Sequence, residues 1–254
     1  MVQFPCSPRL GLGKNNMAPI RTYSDWNSRS TKQDEQIEPY RHYYFICEGK
    51  NTEKWYFEKL IDIRKELSIH SQIDVVYLEK TEEHENLSNP QQLIEFADEQ
   101  KTKGLIAFDV KFDKMIVVFD ADVFENARQN FYQILENGSR KNVLGVTNPS
   151  FELFLLLHYE NSVDELILTD QANIIQNRWV GRGRYRRRYI EDIFRRKSGM
   201  RPKTNRAIGE LAHNILIAIE QEKKLNNDLN RCNGTITSNI GHIVQSIIND
   251  QCTD

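Results

Sequence analysis

The chain has 254 residues, a formal net charge of −2, 39% apolar and 28% charged residues. That is enough apolar material for one α/β domain with an appendage, or for two small domains. No apolar run nears the ~20 residues that cross a bilayer, and the amino-terminal residues lack the basic-then-apolar pattern of a secretion signal, so no membrane partner is expected. Cys6, Cys47, Cys232 and Cys252 are scattered with no Cys-x-x-Cys pair. Their spacing argues against a zinc site or disulfide framework and for a reducing cytoplasm.

Residues 1–40 hold four of the seven prolines, many polar residues and no apolar period, which reads as a flexible arm. Met17 is an alternative start. From Tyr43 the pattern alternates. Residues 43–47 form an apolar strand, a turn follows at Gly49-Lys50-Asn51, and a helix is expected over Thr52 to Ser68. A strand is expected from Ile73 to Leu78, a polar loop over Thr81 to Asn89, and a helix from Pro90 to about Thr102, since proline suits the first helical turn. A strand over 115–120, a helix from Phe124 to Glu136 stopped by Gly138, and a strand over Val143 to Val146 come next. Asn148-Pro149 is expected to cap a helix running to Tyr159. This alternation predicts a mostly parallel sheet covered by helices on both faces. Past Asn161 the strand signals fade. A basic segment over 178–206 leads to a long helix from Ala207 to about Leu229, a turn at Asn233-Gly234 and a last helix over Ser238 to Ile248. The layout is an arm (1–40), an α/β core (41–160) and a helical, Arg-rich extension packed on it (161–254).

Two apolar runs end in acids: residues 43–47 in Glu48-Gly49, and residues 115–119 in Asp120-Ala121-Asp122. Such runs read as buried parallel strands, whose carboxyl ends are where ligands bind in open α/β sheets. On an extended backbone Asp120 and Asp122 point the same way. Three converging carboxylates repel one another unless a cation lies between them, and an all-oxygen set suits Mg2+ or Mn2+. Glu48, Asp120 and Asp122 are the candidate metal ligands and catalytic acids; taken alone, Glu48 also reads as a solvated strand-end glutamate. Glu152 sits in an apolar helix, either as a helix-start acid stabilised by free backbone N–H groups or as a further member of the metal shell and of the catalytic acids. Glu53 reads as a first-turn acid, Lys50 as a solvated lysine or a phosphate partner, and His158 as a core histidine rather than a catalytic one.

Between Arg178 and Arg206 ten Arg and two Lys face only Glu191 and Asp192, a local balance of +10 against −12 for the remainder. Arg182, Arg184, Arg186, Arg187 and Arg188, interleaved with tyrosine, suit phosphate oxygens and unpaired bases. A solvated charged helix and a face for an acidic protein are the other readings.

Cys47-Glu48-Gly49 followed by Thr52-Glu53 and Tyr56-Phe57 resembles the CEG-x-x-TE-x-x-YF opening of the RloB-like proteins. Phe119-Asp120-Ala121-Asp122 resembles their acidic strand end, and residues 148–160, NPSFELFLLLHYE, are very similar to their NPSFELWLLLHFE stretch. The resemblance spans roughly residues 42–250. It departs at Asn51, where the family often has lysine, and at Asn233-Gly234-Thr235-Ile236-Thr237 in place of NPST. It implies a TOPRIM-like core in which a strand-end Glu and an Asp-x-Asp pair bind magnesium. It also implies a place in bacterial anti-phage defence beside an ABC-type ATPase, where related TOPRIM effectors cut RNA, including transfer RNA. The leading expectation is a Mg2+-dependent nuclease acting on nucleic acid, RNA favoured over DNA, with a homodimer left open. The alternative is a non-enzymatic adaptor subunit of an ATPase complex.

Overall fold

The computed structural model describes residues 22–23, 40–80, 89–103, 105–122 and 128–252. In chain order its strands are β1 (Thr22–Tyr23), β2 (Arg41–Cys47), β3 (Ile73–Leu78), β4 (Lys114–Asp120), β5 (Val143–Asn148), β6 (Trp179–Val180), β7 (Arg187–Arg188) and β8 (Thr237–Ser238). Its α-helices are α1 (Thr52–Asp62), α2 (Pro90–Thr102), α3 (Arg128–Ser139), α4 (Phe151–Leu156), α5 (Gln171–Gln176), α6 (Tyr189–Ser198), α7 (Ile215–Glu222) and α8 (Ile240–Ile248). The main sheet runs β1-β3-β2-β4-β5-β8. Its four central strands are parallel, and the two-residue edge strands β1 and β8 are antiparallel. This is the expected α/β architecture, a mostly parallel sheet flanked by helices.

The central strands are apolar because both faces are covered. Phe45, Val75, Ile116 and Val118 face a core shared with α1, α4, α6, α7 and α8, while Ile46, Val76, Val117 and Phe119 face α2 and α3. Residues from both sides of position 161 build the first core, Phe151 and Leu155 beside Ile190, Phe194, Ile215 and Ile243. The chain runs from β2 to β3 on one side, then crosses to β4 on the other. The strand order therefore reverses between β2 and β4, and the crevice outside their carboxyl ends is where such sheets bind ligands.

Several local expectations are overturned. α1 ends at Asp62 and gives way to irregular turns up to Ser68. Gly138 lies inside α3 rather than stopping it. A Cβ there would come within 2.7 Å of Ile94 Cδ1, so this glycine lets α3 approach α2. Asn148 is the last residue of β5, joined to Pro149 by a cis bond, and Ser150 rather than Asn148 precedes α4, which ends at Leu156. The expected helix over Ala207 to Leu229 is a 3-10 stretch (Arg206–Asn214) followed by α7, which stops at Glu222. The carboxyl-terminal part also contributes strands: β6 and β7 form a hairpin, and β8 joins the main sheet. Of the expected arm, Thr22, Tyr23 and Tyr40 are described, and the first two add edge strand β1. Met17, the expected loop at residues 81–88 and the expected helix start at residues 124–127 lie outside the described residues.

Candidate active site at the sheet crevice

The β2–β4 register sets the site. Cys47 lies opposite Val118, and the Glu48 amide donates to the Val118 carbonyl at 2.9 Å. Glu48 thus stands beside Asp120, whose amide donates to Glu48 Oε2 at 3.3 Å. β4 ends at Asp120, so Asp122 is reached through a turn and not along an extended strand. Both aspartates nevertheless line one cavity of about 660 Å3 together with Glu48, Lys50, Glu53 and Glu152. All four expected catalytic acids therefore meet there, with Glu53 and Lys50 added. Glu191 from α6 is a sixth carboxylate in the lining, and Lys50, Arg188 and Lys203 are its cations. With all groups ionised the walls carry an excess of negative charge, which attracts a cation and opposes an approaching phosphate.

Each acid is tethered separately. Thr147 on β5 donates to Asp120 Oδ1 at 2.7 Å, and Ser150 donates to Glu152 Oε2 at 2.6 Å. Asp122 lies 3.9 Å from the Arg188 guanidinium. Glu53 folds over Gly49: a Cβ at Gly49 would sit 1.9 Å from Glu53 Oε2, so a larger residue there would displace the Glu53 carboxyl. Lys80, just past β3, donates to the Glu48 carbonyl and braces the strand tip.

Burial and repulsion between neighbours hold four of the lining carboxyls, Glu48, Glu53, Asp120 and Glu191, in the protonated direction. Burial, then the charges of Glu53 and Asp122, pushes Glu48 up to about 7. Burial, with Glu152 nearby, pushes Glu53 up to about 7. Asp120 is also raised, by burial first and then by Glu48 and Glu53. Glu191 is raised by burial and by Glu152.

The donor set is all oxygen, which fits a hard divalent cation in chemical type. As placed, the side chains are not closed on one point: among the described residues no three His, Cys, Asp or Glu groups are gathered to hold a metal ion. Thr147 binds one oxygen of Asp120, Ser150 one oxygen of Glu152, and Asp122 lies toward Arg188.

His158 is away from this cavity. It is buried in the core, its Nε2 2.8 Å from the Tyr56 hydroxyl and its Nδ1 3.0 Å from the Phe154 carbonyl, and burial pushes it down to about 4. It is a neutral core histidine, the structural one of its two readings.

The basic segment is a hairpin and a helix start, not one charged helix. In β6–β7, Trp179 pairs with Arg188 and Val180 with Arg187. The Arg186 and Arg188 guanidinium carbons lie 4.7 and 4.8 Å from the Trp179 ring. Arg187 points the other way and binds Asp192 in the first turn of α6, its Nε 2.7 Å from Oδ1. Arg182, Arg184 and Arg186 are exposed and form no ion pair among the described residues. Arg184 lies against Tyr185, 5.1 Å from the ring centroid.

Sequence reasoning missed Lys80, Thr147, Ser150 and the lining roles of Glu191 and Lys203. The departures from the family pattern have local jobs. Asn51 donates to the Lys203 carbonyl at 3.1 Å and Thr52 to the Pro202 carbonyl at 3.0 Å, docking the loop that brings Lys203 in. The 233–237 turn offers the Thr235 carbonyl to Asn148 Nδ2 at 2.9 Å, anchoring the end of β5.

Fold and site define an α/β protein with an acidic cavity at the reversal point of its parallel sheet, flanked by an arginine hairpin. The model of the RloB-like protein family matches residues 43–247, most of the chain, and the chain belongs to that family. No curated protein and no solved structure matches it. Among the described residues no helix is long and apolar enough to cross a membrane.

Proposed function

We propose that the chain is a metal-dependent nuclease that hydrolyses phosphodiester bonds, with RNA such as transfer RNA as its substrate, and that it serves as an effector of anti-phage defence beside an ABC-type ATPase. The observation that carries the chemical part is the meeting of Glu48, Asp120, Asp122 and Glu152 in one cavity at the β2–β4 crevice. The substrate, the ATPase and the defence role rest on the family resemblance alone.

Glu48, Asp120 and Asp122 would hold Mg2+ or Mn2+. Bound there, the ion would supply charge stabilisation to the phosphodiester and lower the pKa of an attacking water. The protein side of the chemistry follows from its own groups. Glu53, which is not among the proposed ligands, is poised near neutral pH in the metal-free protein and can hold or release a proton in the physiological range. Glu152, oriented by Ser150, faces the same space. Arg188 and Lys203 line the rim and would orient phosphate oxygens, the former fixed by Trp179 and by the Asn177 carbonyl at 3.1 Å.

The adaptor reading makes the acids structural and the basic hairpin a docking face. A divalent-metal titration of thermal stability separates the two. Wild type should gain stability with Mg2+, and Glu48→Gln and Asp120→Asn should gain little. Equal response in all three proteins, or none in wild type, favours the adaptor.

A further inference from the structure

Beside the acidic cavity lies a second one of about 390 Å3, lined by Arg184, Arg186, Arg187, Arg195, Arg201 and Lys203, with Glu191 as the sole lining carboxylate among the described residues. Glu191 and Lys203 also line the acidic cavity, so the two are contiguous across one shared wall. Arg187 is engaged by Asp192, and Arg195 lies 4.0 Å from Glu191. Arg184, Arg186 and Arg201 form no ion pair among the described residues, so none of the described acids engages these three guanidiniums. The hairpin explains the arrangement. Residues 186 and 188 share one face of it, and both rest on Trp179, which sets Arg186 in the basic cavity and Arg188 in the acidic one.

We propose that this basic cavity is a phosphate-binding subsite that receives a backbone phosphate of a single nucleic-acid strand, next to the phosphodiester held at the acidic cavity. The second half of the statement rests on the nuclease reading, while the phosphate subsite does not. Guanidinium groups bind phosphate oxygens through paired N–H donors, and among the described residues the cavity's cations outnumber its one carboxylate. A neighbouring phosphate anchored there would hold the strand against the repulsion of the acidic walls. Trp179 is a positioning residue, since it acts through the two arginines stacked on it.

The test is equilibrium binding of short single-stranded RNA and DNA, about 8 nucleotides, to the full chain in EDTA, across a salt series. Arg186→Gln should lower the log–log salt slope by about 0.7, and Arg186→Gln with Arg201→Gln by about 1.4, one phosphate contact each. Arg201→Lys should keep the slope, because a point charge at that place still meets the phosphate. The fall should be equal for RNA and DNA, since the phosphate is common to both. An unchanged slope in both variants overturns the subsite, and a fall for RNA alone moves recognition to the 2′-hydroxyl and overturns it equally. Because the binding assay contains no metal, a wild type that cuts nothing in a separate incubation with Mg2+ would sink the nuclease reading and leave this result standing. Intact cleavage with an unchanged slope would sink the subsite alone.

Discussion

Replacing Glu48 by Gln should stabilise the metal-free protein, and only above a definite pH. Glu48 is pushed from 4.5 to about 7 in the fold by burial and by its acidic neighbours. A carboxyl raised on folding contributes most below its unfolded value and loses that contribution as pH climbs to the folded value. The gap corresponds to roughly 3 kcal/mol, at 1.36 kcal/mol for each tenfold change in proton affinity. Gln keeps the shape and can still accept the Asp120 amide that Glu48 Oε2 takes at 3.3 Å. The wild-type curve alone is a poor guide, because buried His158, pushed down to about 4, loses stability as pH falls below 6.5 and so slopes the opposite way. The difference between variant and wild type removes His158. In urea unfolding with EDTA, that difference should be near zero below about pH 4.5 and grow to about 3 kcal/mol by pH 8, some 6–12 °C in melting temperature. A difference that does not change with pH, or a variant less stable than wild type at pH 8, would refute the crowding argument.

Three further outcomes follow from the packing and the donor chemistry. Gly209→Ala should cost about 1–3 kcal/mol, because its Cβ would lie 2.7 Å from the Trp55 carbonyl oxygen where the 3-10 stretch crosses α1; an unchanged urea midpoint would contradict this. Tyr56→Phe should cost about 1–3 kcal/mol by stranding His158 Nε2, while leaving cleavage intact, and a collapse of cleavage at unchanged stability would give His158 a catalytic part. An all-oxygen set with no Cys or His among the described residues of the cavity lining should bind Mg2+ or Mn2+ in preference to Zn2+. Anomalous scattering that places tightly held zinc at Glu48 and Asp120 would contradict that preference.

The sheet and the crevice were legible because parallel buried strands write themselves as apolar runs, and their ends as the first acid or glycine. Ile73–Leu78 and Pro90–Thr102 fall where periodicity and proline place them. Glu48 and Asp120 were legible for the same reason, Asp122 as the next acid past the strand end, and Glu152 as an acid inside an apolar helix. Glu191, Lys203 and Thr147 were not, since each reaches the site through tertiary contact: α6 packing on α4, the 199–205 loop docking on Asn51 and Thr52, and β5 lying beside β4. Gly138 misled because a glycine used for close helix contact looks in sequence like a helix stop. The long helix expected after Ala207 failed because a 3-10 stretch can carry the same apolar residues to the core, Ile208, Leu211 and Ala212 among them. β8 is two residues long and has no pattern of its own.

The central claim is tested most directly by incubating the purified chain with total RNA and with plasmid DNA, with Mg2+ and with EDTA, beside Glu48→Gln, Asp120→Asn and Asp122→Asn. The account predicts Mg2+-dependent cutting of RNA by the wild type and none by any of the three variants, all of which remain folded. Cleavage that survives in all three variants, or that proceeds equally in EDTA, would contradict it.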